Sequence, residues 1–172
     1  MKNKKKNTVV NLCMTALFTA MVIALSSFGI PVPGGNIYLC DMAIYMAAIL
    51  LNPVSAFVAG GIGTLLGDMI FYPVTMFVSL IVHGLQALVV SLISRYTLKK
   101  HPFAASCVGI GVGGVIMFFG YVLGKTVLYG TFLTALAECP YDILQTCVGG
   151  LLAMLLCYKA GIKRIYETKL HL

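Results

Sequence analysis

Apolar stretches of about 20 residues recur along the whole chain, parted by proline and glycine breaks. A segment of that length can cross the hydrocarbon of a bilayer as a helix, because a helix satisfies its own backbone N–H and C=O groups. The pattern predicts an all-α, polytopic membrane protein. A transmembrane barrel would instead show alternating segments of about ten residues, and the sequence contains none. With 60% hydrophobic and 10% charged residues, there is too little charge to clothe a soluble domain of this size.

Six spans are expected, in one integral membrane domain. The first covers about 8–28 and stops at "GIPVPGG", where two prolines and two glycines forbid a continuing helix. Residues 38–72 are too long for one crossing and break at "LNP", because the residue before a proline avoids helical geometry. That gives a short second span, 39–51, and a third, 54–72. The remaining spans are 74–94, 103–128 and 140–158. The basic start followed by an apolar run suits a signal peptide. The run from Thr8 to Ile30 is too long for one, however, so a retained first span is expected. Beside six spans there is no room for an ATPase cassette, so energy is expected from an ion gradient or a partner.

Charge supports that count. The net charge of +7 comes from clusters at Lys2–Lys6, Arg95–Lys100 and Lys159–Lys169, which flank apolar spans. Such clusters report orientation by the positive-inside rule rather than nucleic-acid binding. Six spans place both termini and all cations except Lys125 at the cytoplasmic face. The six cysteines show no CxxC, and no metal spacing with histidine. Neither a metal nor a cofactor is expected, and a Cys40–Cys139 disulfide near the outer mouth stays open.

The same orientation sets the depth of the polar residues. Asp41, Tyr45, Asp68, Tyr121, Lys125, Tyr141, Asp142 and Gln145 fall in the outer half, with His83 and Gln86 about midway. Asn36, Tyr38 and Glu138 join them from loops. Ionisable groups at membrane depth face a cavity or one another. This one-sided cluster therefore predicts an outward-facing cavity over an apolar floor, whereas a channel would carry polar residues through. Local alternatives stay open. Asp41 and Asp142 suit helix N-termini, and Tyr38, Tyr72 and Tyr129 suit an aromatic belt. Asp68 could pair with Lys125, and His83 could be a packing histidine.

Small residues mark close helix contacts. GxxxG pairs occur at Gly63/Gly67 and Gly109/Gly113, read as internal packing. In "ALFTAMVIA", Ala16, Ala20 and Ala24 form a smooth stripe on one helix face, suited to internal packing or to another subunit.

Size, span count, basic ends and the alanine stripe together resemble the substrate-binding S components of energy-coupling factor (ECF) transporters. The likeness is closest to the pyridoxine-, hydroxymethylpyrimidine- and riboflavin-type branch. It is carried by Gly34–Asp68, by "HGLQALVVSLI" and by "GYVLGKTVLYG" with "ECPYDILQ". The resemblance implies a vitamin-binding subunit in a bacterial cytoplasmic membrane. It also implies a transmembrane coupling subunit that contacts Ala16, Ala20 and Ala24, two cytoplasmic ATPases as partners, and a lid over 30–39. Against the family pattern, Lys125 stands where an acidic residue is expected, and Asp142 where an asparagine is.

Asn36, Tyr38, Asp41, Tyr45, Asp68, His83, Gln86, Tyr121, Lys125, Tyr141, Asp142 and Gln145 are thus the candidate substrate-binding residues, rings for stacking and polar groups for anchoring. The excess of acids favours a neutral or cationic ligand, pyridoxine-like or hydroxymethylpyrimidine-like. Two other classes compete with this one. An intramembrane aspartyl enzyme needs GxGD, and here "LGD" offers half of it. An autonomous secondary transporter needs an ion path that the inner half does not display.

Overall fold

The computed structural model describes the backbone of residues 2–32, 35–129 and 132–170, and the side chains of these except residues 2–7, 32, 35, 36, 129, 134, 169 and 170. Helix α1, Lys2–Ser26, leads into a hairpin of β1, Gly29–Val32, and β2, Gly35–Tyr38. Next come α2, Cys40–Leu50, and α3, Pro53–Phe71, which contains a π turn at Val58–Ile62. Helices α4, Met76–Tyr96, and α5, Pro102–Tyr129, follow. The chain closes with α6, Phe132–Met154, continued by a π turn at Leu155–Lys159, and with α7, Ile162–Leu170. Gly161 takes φ 75°, the left-handed geometry that ends α6 and turns the chain into α7.

Among the described residues, five helices are long and apolar enough to cross a membrane: Thr8–Ser26, Pro53–Phe71, Met76–Tyr96, Pro102–Leu128 and Ala135–Lys159. The expected second span is an 11-residue helix, about 16 Å long, and falls short of a full crossing. Its neighbours show what it does span. Gly67 lies against Ser26 near the end of α1, whereas Asn52, just past α2, hydrogen-bonds Asn11 near the start of α1. All its residues except Met42 are buried. α2 is thus a central post walled off by the longer helices, which explains how so short a helix persists in an apolar setting. The break at "LNP" is sharp. Asn52 caps α3 by accepting the Ser55 N–H at 2.9 Å, and Pro53 fills the first helical position, where no N–H is needed.

Two boundaries differ from expectation. Residues 30–39 are not an irregular loop. They lie mostly in the antiparallel hairpin, with Gly29 opposite Tyr38 and Val32 opposite Gly35. Two strands have only edges, so Pro31 costs no ladder bond. The last long helix begins at Phe132 rather than near 140, leaving Pro140 inside it and placing Glu138 on a helix. In a membrane protein, neighbouring groups re-satisfy the backbone that a proline frees. Cys40 and Cys139 are both buried free thiols, so the disulfide left open by the sequence is absent.

Lipid tails are as apolar as the helices, so close approach rather than hydrophobicity holds such helices together. A Cβ at Gly63 would sit 2.8 Å from Val22, and one at Gly67 2.8 Å from Ser26, so this GxxxG pair seats α3 on α1. Gly109 and Gly113 likewise meet Val90 of α4. At Gly149 an added Cβ would lie 2.6 Å from the Asp41 Cβ and 3.0 Å from its carbonyl carbon, so only glycine lets α6 approach α2 there. Ala16, Ala20 and Ala24, by contrast, are all exposed on α1. They pack against nothing inside, which removes internal packing as their role.

Candidate functional site

Beside the hairpin lies a cavity of about 410 Å³, walled by α3, α4, α5 and α6, with Ser26, Tyr38 and Cys40 closing its remaining side. Eight of the twelve expected site residues line it: Tyr38, Asp68, His83, Tyr121, Lys125, Tyr141, Asp142 and Gln145. Asp41, Tyr45 and Gln86 stand one layer behind, each 0% exposed. The backbone of Asn36 is in β2, and its side chain lies outside the described residues.

The cation sits at one wall. Lys125 Nζ lies 2.6 Å from Glu138 and 3.5 Å from Asp142 Oδ2, and 4.8 Å above the Tyr121 ring. Asp142 lies well inside α6, so it is not an N-terminal acid as one local reading had it. Asp68 does not pair with Lys125. The Ser79 and Thr75 hydroxyls donate to its Oδ2 instead, Thr75 at 3.2 Å. Lys125 and Asp142, the two residues expected to differ from the family pattern, thus face each other.

A chain of hydrogen bonds runs from this wall into the protein. Ser79 Oγ is 2.7 Å from the Tyr121 hydroxyl, which is 3.0 Å from His83 Nε2. His83 Nδ1 is 2.7 Å from Gln86 Oε1, an acceptor only, so Nδ1 carries a proton. Gln86 Nε2 then donates to the Tyr45 hydroxyl at 2.7 Å. His83 is thus tied at both ring nitrogens. Its Nδ1 also faces Asp41 Oδ1 at 3.5 Å, an oxygen with no hydrogen-bond partner among the described residues. Asp41 is in the first turn of α2, where the helix dipole favours a carboxylate.

A second chain links the hairpin to this layer. The Tyr38 N–H donates to Gln145 Oε1 at 2.8 Å, and Gln145 Nε2 donates to Asp41 Oδ2 at 3.0 Å. The Tyr38 and Tyr72 rings meet edge to face at 5.3 Å beside the opening. The hairpin position is therefore read by the polar layer beneath the cavity. Below that layer Ala43, Ile44, Ala47, Ala48 and Ile49 of α2 are buried and apolar, forming the floor.

Sequence reasoning missed Glu138, Ser79, Thr75, Thr64 and Met117 as lining groups. Glu138 stands at the same depth in the sequence reading, and its spacing of four from Asp142 puts both on one helix face. The serine and threonine gave no signal, since hydroxyls in apolar helices commonly bond back to their own backbone, as Thr15, Thr19 and Ser26 do here. Among the described residues, no group of three or more His, Cys, Asp or Glu side chains is placed to hold a metal ion.

Residues 6–163 match the family model for the S component of ECF-type riboflavin transporters. The chain is 33% identical over 161 residues to the thiamine precursor transporter HmpT of Lactococcus lactis, covering 91% of this chain and 90% of that protein. It is also 33% identical over 132 residues to an uncharacterised protein of Pyrococcus woesei, covering 76% of this chain and 86% of the relative.

Proposed function

Since the chain belongs to the family of ECF-type riboflavin transporter S components, we propose that it is the high-affinity vitamin-binding subunit of an ATP-driven importer. Its ligand is a small heteroaromatic of the pyridoxine, pyridoxamine or hydroxymethylpyrimidine type. It is itself no enzyme, and ATP hydrolysis belongs to two partner ATPases joined through a transmembrane coupling subunit. The setting is a bacterial cytoplasmic membrane, with five full crossings and the shorter α2 enclosed among them, both termini cytoplasmic and the hairpin outside.

One observation carries the substrate class. The cavity sets tyrosine rings beside carboxylates, and among the described residues Asp142 Oδ2 has no hydrogen-bond donor beyond Lys125 at 3.5 Å. A flat ring bearing N–H or O–H donors satisfies both features, by stacking and by donating to open acceptors. Asp41, Asp68, Glu138 and Asp142 against Lys125 leave an excess of negative charge around the cavity, which disfavours phosphorylated vitamins. The Lactococcus relative, a thiamine precursor transporter, points the same way.

The test is equilibrium binding by the purified chain alone to pyridoxine, pyridoxamine, hydroxymethylpyrimidine, riboflavin and pyridoxal phosphate. Nanomolar binding of one of the first three is expected. It should be lost in Asp68→Asn and His83→Ala variants that keep the wild-type circular dichroism spectrum. Tightest binding of pyridoxal phosphate, or no binding to any of the five, contradicts the reading.

A further inference from the structure

At the opposite end of the molecule lies a second cavity, of about 630 Å³, framed by the start of α1, the turn between α2 and α3, the ends of α4, the connection to α5, and α7. Its lining carries Arg95, Lys99 and Lys163 against the single carboxylate Glu167. None of the three cations forms an ion pair among the described residues. Arg95 is fixed. Its Nε donates to Leu51 O at 2.9 Å and its Nη2 to Leu50 O, so the guanidinium closes the C-terminus of α2, where a cation is favoured. Its remaining terminal nitrogen takes no hydrogen bond among the described residues. Lys163 leans on Tyr158, with Nζ 3.1 Å from the hydroxyl and 5.0 Å from the ring centre.

The cavity wall holds one buried polar atom that the protein leaves unused. Ser94 is 8% exposed, and its Oγ has no hydrogen-bond partner among the described residues. Ser26, Thr15 and Thr19 each bond back to the carbonyl four residues earlier; Ser94 does not. A buried hydroxyl left without a partner is costly unless something meets it. Ser94 lines the same cavity as these three cations, its hydroxyl beside Gly109 of α5. Tyr166, also buried in the lining, offers a hydroxyl. Burial pushes its phenol up from the ordinary value while Arg95 pulls it down, so it stays a neutral donor near pH 7.

We propose that this basic cavity is a binding site for a phosphate group, held by the Arg95 guanidinium, Lys99, Lys163 and the Ser94 hydroxyl. Phosphate supplies acceptors for a serine and a fixed arginine and the charge that unpaired lysines attract. Neither the family assignment nor the vitamin cavity bears on this site, which lies on the far side of the apolar middle of α2. Two sources share this chemistry: the headgroup of an anionic phospholipid, drawn to basic clusters at a membrane face, and a free phosphate ion.

The experiment uses the full chain, wild type beside Lys99→Gln/Lys163→Gln and, separately, Ser94→Ala, which removes one atom and leaves the fold. Native mass spectrometry counts retained phosphatidylglycerol against phosphatidylcholine. Thermal unfolding in inorganic phosphate is compared with chloride at matched ionic strength. Preference for phosphatidylglycerol, weakened about thirtyfold in the double lysine variant and measurably in Ser94→Ala, supports a lipid headgroup. Stabilisation by phosphate that both variants lose, with no lipid preference, supports the free ion. If both variants match wild type in both measurements, the proposal is overturned.

Discussion

The two ends of this molecule hold opposite inventories. Around the hairpin, Asp68, Glu138 and Asp142 line a ring-walled cavity with one cation, Lys125. At the far end, Arg95, Lys99 and Lys163 face a single carboxylate. Between them the middle of α2 is apolar and closed. A channel or proton path would need polar groups through that middle, and the contrast instead marks two separate cavities divided by a floor. It also shows why the short α2 matters. It carries Asp41 at one end, presents the carbonyls held by Arg95 at the other, and is otherwise the partition.

The largest break in this contrast should come from Lys125→Met. It leaves Glu138 and Asp142 as uncompensated neighbours four residues apart, and breaking a largely buried ion pair costs about 3 kcal/mol. A clearly lower thermal midpoint and a roughly hundredfold or greater loss of vitamin affinity are expected from calorimetry. Next comes Gln145→Leu, which removes both the acceptor of the Tyr38 N–H and the donor to Asp41. Two lost hydrogen bonds amount to about 2 kcal/mol. The loss should appear mainly as faster ligand release in stopped-flow, because the hairpin is no longer tied to the layer beneath the ligand. The smallest effect on the chain itself belongs to Ala20→Trp. This exposed position on α1 touches no interior group, so binding and thermal midpoint should be unchanged while co-purification with a coupling subunit is lost.

Most of the helices were legible because the apolar runs are long and proline and glycine mark their ends, as at "LNP". Legible too was the gathering of acids, Lys125 and tyrosines at one end of the bundle, since successive spans run in opposite directions. Depth does not give rotation about a helix axis, however. Asp68 therefore looked like a partner for Lys125, yet it faces Ser79 and Thr75, and Lys125 turns to Glu138 and Asp142. Asp41, Tyr45 and Gln86 share the right level but point into the layer behind the cavity. The early start of α6 escaped notice because Pro140 reads as a beginning, and the hairpin because Pro31 reads against a strand. Whether Gly63 packs inward and Ala20 outward depends on the neighbours each helix meets, which spacing alone does not supply.

The most direct measurement of a receptacle closed at its base is ligand stoichiometry in sealed proteoliposomes holding this chain alone, using the radiolabelled vitamin that binds tightest in the panel. The account predicts saturable retention that stops at one ligand per chain and does not respond to an imposed proton or sodium gradient. Accumulation beyond one ligand per chain, driven by either gradient, would contradict it.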